Sequence, residues 1–151
     1  MEIIAPAGPV SIQIGDGNRQ STAGGFTLGT GLVVGDTVSC GGNVALLQGG
    51  AAARQLRTQD CSTASGHYFD ILTVYLTAGR SVTFTMSSFS FDSYLEVRTG
   101  DGSGVLAFDD NSGGGTNARV RFTANTTGFY QIWARAATPF RTGQYTIETT
   151  Q

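Results

Sequence analysis

Phe91-Asp92-Ser93-Tyr94-Leu95-Glu96-Val97-Arg98 is the stretch on which the reading of this chain turns. Leu95 and Val97 alternate with Glu96 and Arg98, the two-residue period of a strand with one face buried and one face wet. Thr99 to Gly104 is rich in Gly and Asp and reverses the chain. Gly104-Val105-Leu106-Ala107-Phe108 then runs into Asp109-Asp110-Asn111. An antiparallel hairpin puts the start of its first strand beside the end of its second. Asp92, Asp109, Asp110 and Asn111 are therefore expected to converge at one rim, where they either hold a calcium ion or cap turns.

The same beat extends both ways. Upstream, Leu72, Val74 and Leu76 alternate with Ile71, Thr73 and Tyr75, and after an Ala78-Gly79 turn Val82, Phe84 and Met86 mark the next inward face. Downstream, Val120 and Phe122 lie between Arg119, Arg121 and Thr123. Tyr130, Ile132 and Ala134 then share one face, with Phe129, Gln131, Trp133 and Arg135 on the other. The last strand turns Tyr145 and Ile147 inward. Short alternating segments separated by turn signals every 8–12 residues or so predict an all-β, antiparallel β-sandwich, jelly-roll-like in kind.

The amino-terminal part has a different character. Val10–Ile14, Phe26–Leu28, Leu32–Val34 and Thr37–Cys40 read as short strands broken by Gly and Asp turns, and Val44–Thr58 is the one window with room for one or two helical turns. The expected organisation is an arm or set of extra strands over 1–55, which could be part of the same sandwich, and a sandwich over 56–151.

Composition narrows the function. The chain has 151 residues, enough for one real core, with 13% charged residues and a formal net charge of −2. No basic footprint for nucleic acid is present, and no apolar run approaches the length of a membrane span. All nine basic residues are Arg. Cys40 and Cys61 are two cysteines without a CxxC spacing, in a chain with one histidine, His67. A disulfide suits them better than zinc, and implies an oxidising, extracytoplasmic compartment, periplasmic or at the cell surface or secreted. Met1-Glu2-Ile3-Ile4 is no signal peptide, so a leader has been removed or export takes another route.

Six motifs in order, Tyr68-Phe69-Asp70, Thr77-Ala78-Gly79-Arg80-Ser81-Val82, Ser90-Phe91-Asp92-Ser93-Tyr94-Leu95, Phe108-Asp109-Asp110-Asn111, Thr127-Gly128-Phe129-Tyr130-Gln131-Ile132 and Thr142-Gly143-Gln144-Tyr145-Thr146-Ile147, resemble the bacterial pre-peptidase C-terminal domain family. Members are secreted β-sandwiches found beside proteases and related to clostridial collagen-binding modules. The resemblance spans roughly Leu56 to Thr149. It implies a non-catalytic module and, in some relatives, a calcium site, which by position falls on Asp92, Asp109, Asp110 and Asn111, with Asn117 added. A Ser commonly follows that last Asn; here Ala118 does.

No catalytic set stands out: His67 has no GxSxG partner, and Asp109 and Asp110 are adjacent and would point apart in a strand. Phe129, Trp133 and Arg135, extended by Arg119 and Arg121, form the candidate interaction surface, either covered by the amino-terminal extension or open to a partner. The expected role is a structural or assembly subunit on a larger extracellular, envelope or membrane-protein complex. The alternative is a module that binds a protein or polysaccharide for a secreted enzyme. No cofactor other than calcium is expected.

Overall fold

The computed structural model describes residues 44–151, which form ten strands in two sheets. The strands expected within the first forty residues, and Cys40, lie outside the described residues. In chain order the strands are β1 (Val44–Ala45), β2 (Ala51–Leu56), β3 (Cys61–Ser62), β4 (Tyr68–Leu76) and β5 (Ser81–Ser87). They continue with β6 (Ser93–Arg98), β7 (Val105–Asp109), β8 (Ala118–Thr123), β9 (Gly128–Ala136) and β10 (Gly143–Thr150). The first sheet runs β1-β4-β9-β6-β7, with β3 also on β4, and the second runs β2-β10-β5-β8. All pairings are antiparallel except that of β1 with β4, which is parallel.

The expected sandwich is what the chain forms. Inward residues from the two sheets meet in one core: Leu72, Val74 and Leu76 of β4, Leu95 and Val97 of β6 and Ile132 of β9 face Val82, Phe84 and Met86 of β5, Val120 of β8 and Ile147 of β10. Most of these are fully buried. At the level of the core, the period-two reading was right residue by residue.

Val44–Thr58, the window with room for at most one or two helical turns, forms none; strands stand there. Gly49, with φ of 74°, and Gly50 turn the chain between β1 and β2. Ala51–Leu56 then pairs along its whole length with β10, from Glu148↔Ala51 to Gly143↔Leu56. Ala and Leu prefer helix by only a few tenths of a kcal/mol per residue, and six paired ladder positions with Leu56 buried outweigh that. β1 and β2 thus contribute one strand to each sheet, so the sandwich takes in residues that precede Leu56.

One inward position breaks the apolar rule. Asp70 has the same parity as Leu72 and Val74 and sits between the sheets, 1% exposed. From the second sheet Tyr145 Oη donates to Asp70 Oδ2 at 2.5 Å, and Arg54 Nε donates to the same oxygen at 3.3 Å. Arg54 and Tyr145 are directly paired across β2 and β10. Burial pulls the Arg54 pKa down, but the adjacent Asp70 carboxylate outweighs it and the pKa is raised. Burial, then Asp70, push the Tyr145 phenol well above its ordinary value. The sheets are therefore joined by a polar latch as well as by apolar packing.

Candidate functional site

The rim foreseen from the central hairpin is real: β6 begins at Ser93, β7 ends at Asp109, and Leu95 pairs with Asp109. What Asp109 does there is turn chemistry. Asp109 Oδ2 accepts from the main-chain N–H groups of Ser112 at 2.9 Å and Arg119 at 2.8 Å, and Oδ1 accepts from Ser112 Oγ at 2.5 Å. Burial works to raise this carboxyl, but the three hydrogen bonds outweigh it and hold it below the usual range. The bond to Arg119 also ties the end of β7 to the start of β8, across the two sheets.

Asn111 and Asn117 serve through their backbones. The Asn111 carbonyl accepts from Gly114 N–H at 3.2 Å, and the Asn117 carbonyl from Gly113 N–H at 2.8 Å. Any side chain at Gly113 would collide with that carbonyl, 2.6 Å from where a Cβ would stand. Asp110 is exposed. Asp92 accepts Ala137 N–H on its carbonyl at 2.8 Å, and its Oδ1 is buried with no hydrogen-bond partner. Among the described residues no three His, Cys, Asp or Glu side chains come together as a metal cluster. The commitment of Asp109 to three donors motivates the turn-capping reading. Melting in calcium and in excess chelator is expected to give the same midpoint, since an ion held only by the folded state would raise it.

The outward face of the first sheet is more organised than its sequence suggested. Trp133 of β9 stacks on Phe69 of β4, centroids 4.2 Å apart at 10°. The Arg98 guanidinium lies 3.8 Å from the Trp133 ring centre, so the indole is sandwiched. Beside it Arg135 sits 3.7 Å from the Tyr94 ring centre, and Tyr94 stacks in turn with Phe108, centroids 5.9 Å apart at 9°. Glu96, directly opposite both Trp133 and Phe108, links the two halves. Its Oε2 is 2.6 Å from Arg98 Nη2 and its Oε1 3.4 Å from Arg135 Nη2.

This ladder changes the account of the surface. Trp133 and Arg135 already have partners within the chain, and the rings left most open on the strands of this face are Phe129 (63% exposed), Phe108 (64%) and Tyr75 (50%). Phe129 and Tyr75 meet edge to face, centroids 5.1 Å apart. A cavity of about 220 Å³ opens beside Phe129, lined also by Leu106, Phe122 and Tyr130. Arg119 and Arg121 are not on this face. They pair with Thr85 and Thr83 in the second sheet and point outward on the far side of the sandwich.

Phe69, Tyr94, Glu96, Arg98 and Phe108 were missed as members of the site. Their outward parity was legible, but which strands lie side by side was not. His67 rests in the loop between β3 and β4, where its ring meets Ser65 Oγ at 3.0 Å, Thr63 Oγ1 at 3.4 Å and the Ala137 carbonyl at 3.3 Å. No carboxylate is among its partners.

Two packed, mostly antiparallel sheets make this chain a β-sandwich. Residues 68–136 match the bacterial pre-peptidase C-terminal domain family, so the resemblance read from the motifs is borne out over that stretch. The fold is shared with the pre-peptidase C-terminal domain of a Bacillus anthracis collagenase, at a TM-score of 0.54 and 10% identity over 72% of this chain and 94% of that one. A periplasmic inhibitor of g-type lysozyme from Aeromonas hydrophila, PliG, aligns at a TM-score of 0.43 and 10% identity over 72% of this chain and 99% of that one. No curated protein matches the sequence. Domains of this family are non-catalytic accessories of peptidases. Among the described residues no helix is long and apolar enough to cross a membrane.

Proposed function

We propose that this chain is a non-catalytic, exported sandwich that works as a structural or assembly subunit, docked on a larger extracellular, envelope or membrane-protein complex. The observation that carries the reading is the outward face of the first sheet. Phe129, Phe108 and Tyr75 stand open there around a rigid ladder of rings and guanidinium groups. Exposed aromatic residues beside Arg, fixed in place before any partner arrives, lose little freedom on binding and make good anchors.

The test compares the native chain with a Phe129→Asp variant expressed in the source organism. The native chain should sediment with a large assembly after gentle extraction, and the variant should be released from it. A native chain found free, or a variant retained as well as the original, removes the reading. Retention on an insoluble polysaccharide instead would favour the substrate-binding alternative.

The export half of the proposal rests on Cys40 and Cys61. Cys61 is buried on β3 and is not a free cysteine. A Cys40–Cys61 disulfide is expected to appear as an intact mass unchanged by alkylation under denaturing, non-reducing conditions. Two added labels would argue against an oxidising compartment.

A further inference from the structure

We propose that the end of the sandwich carrying Phe89 and Phe140 inserts these two rings into the interfacial layer of a phospholipid bilayer that contains anionic lipid. This goes beyond the assembly role above and uses none of the residues of the aromatic face. Phe89 and Phe140 are the two most exposed large apolar side chains among the described residues, at 112% and 72%. The fold brings them to one end. β5 stops at Ser87 and β10 starts at Gly143, the two strands pair antiparallel with Ser87 opposite Thr146, and the loops that carry the rings leave from there. The two loops are also tied together. Ser88 Oγ donates to the Gln144 carbonyl at 2.7 Å and accepts Ser90 N–H at 3.0 Å, and any side chain at Gly143 would collide with Ser90.

Phe140 is the one described residue other than glycine with a positive φ, 59°. A bulky side chain takes that left-handed conformation at a cost, and Asn or Gly would take it more cheaply. The surroundings hold it there. Phe140 N–H donates to the Gly66 carbonyl at 2.8 Å, and the ring lies over Gly66, where any side chain would collide with it. Main chain and ring are thus fixed before any contact is made, while the ring adds nothing to the core. Backbone strain spent on an outward ring points to recognition. Charge selects the occupant. Ser88-Phe89-Ser90 and Thr138-Pro139-Phe140-Arg141-Thr142 carry one cation, the exposed Arg141, and no acid. The acids at this end stand on other loops: Asp60 caps Arg57 N–H, Asp92 has Oδ1 buried, and Asp110 follows β7. Rings that project singly, flanked by hydroxyl groups, suit a fluid layer that closes round them, and the Arg141 guanidinium matches a lipid phosphate. Two rings without an acyl chain hold less tightly than one myristoyl group, about 10⁴ M⁻¹, so the contact is reversible.

The test is flotation of the purified full chain with millimolar vesicles of equal parts phosphatidylcholine and phosphatidylglycerol, beside vesicles of phosphatidylcholine alone. Wild type should float with both and partition about fivefold better into the anionic ones, the contribution of one cation near the surface. Phe89→Ser and Phe140→Asn should each lower partitioning about tenfold, and the double variant should stay behind. Phe140→Asn should melt no lower than wild type, because Asn accepts the positive φ, which separates lost binding from lost folding. Phe89→Ser, at a fully exposed position, keeps the test valid if it does not. Arg141→Gln should remove the preference for the anionic vesicles. Wild type left unbound at both compositions overturns the proposal and leaves the rings to a pocket in a protein partner. A double variant that floats like wild type overturns the assignment to these rings, and an Arg141→Gln chain that keeps the preference overturns the part given to Arg141.

Discussion

Asp70→Ala should cost about 3–5 kcal/mol of folding stability, a large share of what a domain of this size possesses. The carboxylate is buried between the sheets and receives both the Tyr145 hydroxyl and the Arg54 guanidinium on one oxygen. Removing it strips a buried cation of its counter-charge and a buried phenol of its acceptor, and the loss reads out directly in urea unfolding. Tyr145→Phe removes a donor while leaving the ion pair, and should cost less, about 1–3 kcal/mol. A cost for Asp70→Ala no larger than an ordinary surface change would mean that the latch is not intact in solution.

The latch also has an alkaline signature. The folded-state pKa of Tyr145 is raised well above its ordinary value of 10.0. Above about pH 10 the unfolded chain releases the phenol proton while the folded chain keeps it, so the unfolded state gains. The contribution is fully present below pH 10 and is lost as pH rises through the folded-state pKa. Tyr145→Phe should flatten the fall in stability above pH 10 relative to wild type. Equal slopes for the two chains would count against the coupling.

Phe84→Ala should cost a similar amount, about 3–5 kcal/mol, for the opposite chemical reason. Phe84 is fully buried in the middle of β5, between its neighbours β8 and β10, and pairs with Val120 and Thr149. Truncation leaves a cavity that paired strands on both sides cannot close. The unfolding midpoint should drop while the denaturant slope stays the same. Phe89, 112% exposed in the loop after β5, is the control: Phe89→Ala should change stability by no more than about 0.5 kcal/mol. Equal losses at the two positions would mean that the core assignment is wrong.

The contrast between Phe84 and Asp70 marks how far the sequence could be read. Alternation from Tyr68 to Ile147 is a local property, so Phe84, Leu95 and Ile132 could be placed inward without knowing which strands were neighbours. The same count puts Asp70 inward too, and that signal was there to be seen. Its partners were not, because Arg54 and Tyr145 lie 16 and 75 residues away. That no helical turn forms near Leu47 and Leu56 has the same origin: pairing with β10 is a long-range fact that local propensity does not carry. Arg119 and Arg121 were outward, as read, yet on the wrong side of the molecule, since parity fixes a face of a strand and not which sheet holds it. At the acidic rim the hairpin geometry was legible, while the commitment of Asp109 to three donors depended on where Arg119 starts its strand.

Trp133 is the chain's one indole, and it lies under the Arg98 guanidinium with Phe69 beneath it. Its emission therefore reports on a single place in the molecule, the outward side of the β4, β9 and β6 strands. A macromolecule settling on that side should change the fluorescence without any dye attached, while one arriving at the loops or at the second sheet should leave it unaltered. Nature has in effect left an optical probe at the spot where a visitor would be most informative.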